Sequence, residues 1–291
     1  MSESESSSAA SAPVFSSPSD DKEMEQASQK ARHSFRFFWR EMSWERRRIV
    51  PALELAAVKG TFRDPPELKS DDPDALEVEH MWLIDVDFDG REVEGTLINS
   101  PISLKSVKEG DRVTIRGKQI CDWMYVLDGE VYGGFTVDLL RSRMGKAERK
   151  QHDNAWGYDF GEVGIINLVP PTYIGDDAPA KKGLFGFGKP KVTQQDYTKV
   201  AAAEHPMSIN MRSSLSDTID ENPEMKSQAD DHGYTFLHQL ALAGSYDGVD
   251  VCLQKGFDPS QEAPNGMTAY TLAKSLGWKK VMQRLEQDGA A

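Results

Sequence analysis

The sequence predicts an α+β fold. An N-terminal helix packs on a small antiparallel sheet, open or curled toward a barrel, and an all-α module of repeated helical pairs follows. Three observations carry this. Between Glu77 and Leu140, apolar residues fall two apart in runs separated by Asp-Gly turns. Ahead of them, from Ala27, apolar residues step by three and four. Near the C-terminus a Gly-x-Thr pattern returns at an interval of 33 residues, from Gly233 to Gly266.

Composition narrows the function classes. At 291 residues the chain suits about two domains. Its net charge of −13 disfavours a wide nucleic-acid footprint, which needs a basic face. Cys121 and Cys252 lie far apart, with no metal-ligand spacing and no disulfide framework, and read as two reduced, partly buried thiols. The start, MSESESSSAASAPVFSSPSDD, lacks the basic and apolar regions of a secretory signal. No apolar run approaches the roughly 20 residues that span a bilayer. A cytoplasmic protein is the expectation.

Taken in order, residues 1–26 are Ser-, Glu- and Ala-rich and are expected to be a disordered tail. Ala27, Ala31, Phe35, Phe38 and Met42 then share a helix face, with Arg32, Arg36, Arg40 and Arg47 largely elsewhere. The preferred reading packs the aromatic stripe on the sheet and leaves the arginines in water. The other is a basic amphipathic helix for a membrane surface or a partner. Pro51 ends or restarts the helix, and Ala52–Val58 reads as two further turns. Val78, His80, Trp82, Ile84, Val86 and Phe88 form one face of the first strand, which Asp89-Gly90 turns back. Val93, Gly95 and Leu97 line the second. Val113 and Ile115 mark a third, and Ile120–Leu127 a fourth. Asp128-Gly129 leads into a fifth, Glu130–Leu139, with Gly133-Gly134 as a bulge or corner. Residues 145–154 read as a short helix or loop. Ile165, Ile166, Leu168 and Val169 read as a closing strand stopped by Pro170-Pro171. The first domain is thus 27–174, and 175–192, rich in Gly, Pro and Lys, is a linker.

The remaining module, 193–291, repeats. Gly233-Tyr-Thr-Phe-Leu-His aligns with Gly266-Met-Thr-Ala-Tyr-Thr, Gly244 aligns with Gly277, and Gly256-Phe-Asp-Pro looks like a repeat end. This tail resembles ankyrin repeats. The resemblance implies that Thr235 opens a helix, that Leu237 and Leu240 are core, and that His238 is a structural hydrogen-bonder between repeats. A degenerate earlier repeat, with a helix over Ser213–Ile219, brings the array to about two and a half repeats. So short an array should lean on the helix around Tyr197–Glu204 or on the first domain. Ankyrin arrays bind proteins through hairpin tips and the concave helix face. By that resemblance the binding residues are Asp230, Asp231, Tyr234, Gln239, Leu242, Asn265 and Met267.

Several motifs invite chemistry and are discounted. Asp85-Val-Asp87-Phe-Asp89-Gly90 matches half of a calcium loop, but Thr96 stands where the bidentate Glu belongs. Gly183–Pro190 begins like a phosphate loop, yet Pro190 replaces the magnesium-binding hydroxyl. No G-x-S-x-G or H-E-x-x-H occurs. Cys121 could act as a nucleophile only if the fold brought a histidine to it, His80 on a neighbouring strand being the candidate. No catalytic, cofactor or metal residue is assigned.

Trp82-Leu-Ile-Asp-Val-Asp-Phe-Asp-Gly, Gly95-Thr-Leu-Ile-Asn, Lys108-Glu-Gly-Asp-Arg-Val, Asp122-Trp-Met-Tyr-Val and Tyr132-Gly-Gly-Phe-Thr-Val together resemble the YegJ-like bacterial domain of unknown function (DUF2314 type). The resemblance covers about half the chain and brings no activity, cofactor or catalytic residue. The expected function is that of a non-catalytic bacterial protein that binds an unidentified protein partner through the ankyrin-like module. An immunity or inhibitor protein facing a basic toxin is a specific version. The alternative is an enzyme or small-ligand binder, with Asn99, Asp122, Tyr132 and Asp159 near Trp82, Trp123 and Trp156.

Overall fold

The computed structural model describes residues 21–70, 72, 74–175 and 194–289. The Ser-rich start and nearly all of the 175–192 linker, with its phosphate-loop-like motif, lie outside the described residues. Asp21 caps the first helix, α1 (Lys22–Glu45), its carboxylate accepting from the amides of Glu23 and Met24. Residues 22–26 therefore belong to the helix rather than to a disordered tail. Phe38 lies 6.0 Å from Trp123, Phe35 lies 5.3 Å from Phe88, and the Trp123 indole donates to the Ala31 carbonyl. The aromatic stripe thus packs on the sheet as expected.

The other side of α1 is not in water. Phe37 is buried beside Tyr197 and Trp278. Arg36 donates to the Gly277 carbonyl, and Arg40, 2 % exposed, to that of Ala203. The expectation of solvated arginines fails because a second layer of helices covers this side. That layer supplies carbonyl acceptors and aromatic faces, both of which suit a guanidinium.

The sheet has six antiparallel strands: β1 (Leu53–Phe62), β2 (Glu79–Phe88), β3 (Glu92–Leu97), β4 (Arg112–Arg116), β5 (Ile120–Leu127) and β6 (Glu130–Gly133). Their order is β4-β3-β2-β1-β5-β6, so the sheet is open and not a barrel. β1 corrects the reading of 52–58 as helix. Leu, Ala and Glu favour a helix locally, but the segment pairs with β5 along its length and with β2 from Val58 onward. Pairing into the sheet overrides propensity.

Nor do the alternate residues of β2 share one face. Asp85 takes φ +50°, and the pairing with β3 slips between Ile84 and Asp87. Met81, Leu83, Val86 and Phe88 belong to the core under α1, whereas Trp82 and Ile84 belong to the opposite side. A bulge inserts one residue and so reverses the parity of every side chain after it.

Glu130–Leu139 is not one strand either. β6 stops at Gly133, and α2 (Phe135–Arg143) follows at once. Gly133 has φ +79°, and a Cβ there would come within 2.3 Å of the Trp123 carbonyl oxygen. The pair of glycines therefore makes a strand-to-helix corner. Fully buried Asp122 caps that helix, accepting from the Phe135 and Thr136 amides (2.9 and 2.7 Å) and the Thr136 hydroxyl (2.6 Å).

On the second sheet face, α3 (Lys146–Trp156) brings Trp156 to within 6.5 Å of Trp82, and Tyr158 and Phe160 pack beside it. Residues 165–169 form no strand. Backbone groups of Ile166, Leu168 and Val169 pair instead with the side-chain amides of Gln194 and Gln195.

The remaining helices are α4 (Tyr197–Ala202), α5 (Pro206–Glu221), α6 (Phe236–Leu242), α7 (Tyr246–Gln254), α8 (Ala269–Ser275) and α9 (Lys279–Gln287). Thr235 and Thr268 cap α6 and α8, and each also closes a short antiparallel bridge, to Ala229 and Glu262 respectively. Both bridge partners recur at the interval of 33. His238 links successive units through Nε2 to the Gln261 carbonyl at 2.8 Å. One hydrophobic cluster runs from the sheet through α1 into these helices.

Candidate functional site

Among the described residues an open groove lies where the helical tail meets the sheet. Its volume is about 500 Å³, and it runs between the last turns of α1, the β2–β3 hairpin and the two hairpin tips of the tail. Each wall has a local cause. The α1 wall presents Trp39, packed edge-on against Phe88, with Arg46 and Arg47 just past the helix end. The sheet wall presents Asp87, Phe88 and Asp89, because the bulge at Asp85 and the turn at Asp89-Gly90 swing the hairpin end outward.

Of the seven residues singled out from the sequence, Asp230, Tyr234, Gln239, Leu242 and Asn265 line this groove. Asp230 takes the amides of His232 and Tyr234 and the Gln239 side chain. Tyr234 and Asn265 both donate to the Asp89 carbonyl, at 3.0 and 2.8 Å. Arg91 returns a bond to the Asn265 carbonyl. Asp231 is exposed outside the groove, and Met267 is buried beside Gly90. A Cβ on Gly90 would come within 2.6 Å of Leu272, so this turn sits directly on the array.

The sheet-side half of the groove was missed by sequence reasoning, which read the Asp-rich run as a solvated strand edge ending in an Asp-Gly turn and discounted it as a metal loop. Its signal was a hairpin end carrying carboxylates at three alternate positions. Among the described residues no group of three or more His, Cys, Asp or Glu is placed to hold a metal ion.

The groove is electrostatically structured. Burial works to raise the Asp87 pKa, but the Arg46 guanidinium, 3.0 Å away, outweighs it and holds the carboxyl below its usual range. Arg46 also lies over the Trp39 ring at 4.9 Å. Arg47 donates to Gln239 and sits between the rings of Trp44 and Phe236, where burial brings its pKa down to about 10. Burial, then the Asp89 carboxylate, pushes the Tyr234 hydroxyl up to about 12. The arrangement offers acceptors and aromatic faces but no activated nucleophile.

The fold does bring His80 to Cys121, with Nδ1 3.4 Å from Sγ. The adjoining cavity is only about 20 Å³, and burial pushes the thiol up to about 12. A protonated thiol facing no substrate-sized space is not a nucleophile. The polar groups considered for a small-ligand site also serve the fold. Asn99 accepts from the Trp82 amide, Tyr132 donates to Glu130, and Asp159 accepts from the Gly161 amide.

Comparison with known proteins bears on both halves. The bacterial family described as "Uncharacterized protein conserved in bacteria (DUF2314)" matches residues 21–160. A Neisseria meningitidis serogroup B protein named "Putative ankyrin repeat protein" is 36 % identical over 266 residues, covering 91 % of this chain and 94 % of that protein. The uncharacterized protein YegJ of Escherichia coli K12 is 37 % identical over 62 residues, 21 % of this chain and 40 % of its own. Among the described residues no helix is long and apolar enough to cross a membrane.

Proposed function

The chain belongs to the bacterial family that includes the Neisseria meningitidis protein and carries the DUF2314 domain, and from that premise we propose that it is a non-catalytic interaction protein whose partner enters the groove between helical tail and sheet. The observation that carries this is convergence. Five residues chosen for ankyrin-like binding fall on one concavity, together with acidic and aromatic side chains of the first domain. We read α6–α9, with their capping threonines and bridges 33 residues apart, as two ankyrin-like repeats, and α5 as the remnant of a third. The name of the Neisseria relative supports the same reading. A cytoplasmic role that masks another protein, as immunity and inhibitor proteins do, fits a site built for contact rather than for bond chemistry.

A photo-crosslinking amino acid placed at Thr114, exposed on the groove rim, tests the reading in living bacteria. The same amino acid at Glu221, exposed at the end of α5, is the control. A protein adduct from position 114 and not from 221 is expected. Adducts from both alike, or from neither, refute the assignment of the groove.

A further inference from the structure

We propose that the groove takes an extended peptide segment carrying lysine or arginine side chains. This rests on the reading of the groove as the partner site and adds the chemistry of what enters it. Five carboxylates line it, those of Asp87, Asp89, Glu92, Glu94 and Asp230, against the two arginines Arg46 and Arg47. Both arginines are engaged within the chain, Arg46 by Asp87 and the Val86 carbonyl, Arg47 by Gln239 and the Ser43 carbonyl. Among the lining residues the carboxylates outnumber the guanidiniums, five to two. Glu92 and Glu94 are exposed on the β3 rim, each with one arginine of β4 as its ion-pair partner.

A second observation is independent of charge. Trp39 lines the groove and is 4 % exposed, yet its indole N–H meets no acceptor among the described residues. A buried donor left unpaired costs free energy, which a peptide carbonyl recovers once the ring turns its N–H into the groove. Phe88 and Tyr234 add aromatic surface, on which a lysine or arginine stem packs while its cation reaches the carboxylates. At about 500 Å³ the space holds a few residues of extended chain and not a folded domain. The net charge of −13 leaves nucleic acid a poor occupant.

The test uses the full chain and a fluorescein-labelled octapeptide of alternating serine and lysine, read by fluorescence anisotropy. Its glutamate counterpart and spermine serve as comparison arms. The lysine peptide binds, the glutamate peptide does not, and spermine displaces the lysine peptide only weakly. The double variant Glu92→Gln/Glu94→Gln weakens binding about tenfold, the scale expected when two rim charges are removed. Raising salt from about 50 to about 500 mM weakens it further. Both glutamates are exposed, and unchanged thermal unfolding confirms that the variant folds.

Equal binding of the two peptides, or binding indifferent to the double variant and to salt, overturns the cationic chemistry. Full displacement by spermine overturns the commitment to a peptide. If the lysine peptide fails to bind while position 114 still yields protein adducts, the groove remains the partner site and this inference falls alone. If both fail, both readings fall.

Discussion

His205 and His238 make the same choice of proton, and that choice predicts how the fold responds to acid. In each ring Nδ1 accepts a backbone amide, from Met207 at 3.2 Å and from Thr235 at 3.1 Å. The proton therefore sits on Nε2, which donates to Glu41 at 3.2 Å in one case and to the Gln261 carbonyl in the other. Both rings are nearly inaccessible, at 1 % and 2 % exposed. Burial lowers both pKa values. At His205 it outweighs the attraction of Glu41, with Arg40 and Arg48 adding to the lowering; at His238 it outweighs the Gln261 bond and Asp230.

The sign follows from that direction. Below about pH 6.5 the unfolded chain binds protons that the native one refuses. The stability contributed by these rings is thus complete above the unfolded value and is lost as pH falls toward the folded one. Each neutral ring costs at most about 1.4 kcal/mol per pH unit, so the two together lower stability by at most about 2.8 kcal/mol per unit as pH falls. That is a large fraction of the roughly 5–15 kcal/mol that holds a domain together. Urea unfolding followed by tryptophan fluorescence across this range measures the loss. Calorimetry in two buffers of different ionisation enthalpy measures the proton uptake. The variant His238→Gln keeps a donor and an acceptor without titrating, and should reduce the slope by about a third, since burial lowers His80 as well. Stability that stays flat or rises on acidification, or unfolding without proton uptake at pH 6, refutes the reasoning. Carboxylates held low, such as Asp87 and Asp250, act in a separate window, since their contribution is lost only as pH falls through the carboxylate range.

Three other outcomes are expected. Asp122→Ala strips the cap from α2 and orphans buried amides of Phe135 and Thr136, costing about 3–5 kcal/mol in urea unfolding, whereas Asp122→Asn keeps an acceptor and costs less. Native protein at pH 8 resists iodoacetamide at both Cys121 and Cys252, whose thiols burial pushes up to about 12, and mass spectrometry shows both alkylated only in urea. Tyr234→Phe and Asn265→Ala each remove one bond to the Asp89 carbonyl; each destabilises by about 1 kcal/mol, and the pair is non-additive because they share that acceptor.

Much of the sheet was legible because its strands alternate and its turns are Asp-Gly. What was not legible has a common cause: residues whose partners are remote in sequence. Ala56 and Ala57 carry too little side-chain signal to announce a strand, and only their partners Tyr125 and Met124 in β5 make them one. The bulge at Asp85 leaves no mark in an unbroken alternation. Gly133-Gly134 reads as a bulge or a corner, but the carboxylate that makes it a helix start is Asp122, on the preceding strand. The tail half of the groove could be read because a repeat has fixed positions for its tips. The sheet half could not, because nothing in Asp87, Phe88 or Asp89 says which surface lies opposite.

That surface is the reason to expect the two halves to be inseparable. α1 is buried on both sides, by Trp123 and its neighbours from the sheet and by Tyr197 and Trp278 from the tail. Arg36, Arg40 and Arg47 each donate across the junction, and Glu41 meets His205 there. Expressed alone, residues 194–291 would expose the apolar faces that Phe37 and the Asp89-Gly90 turn now cover. Burying one large apolar side chain is worth about 1.5–3 kcal/mol, so losing a few such contacts consumes most of what so short an array has to hold it. The isolated tail should therefore lack a cooperative unfolding transition by circular dichroism. The two halves, cut after residue 193 and co-expressed, should instead purify as one stoichiometric complex with the transition restored. A tail that unfolds cooperatively on its own would show that α1 leans on it without supporting it, and that the groove is a seam between independent units.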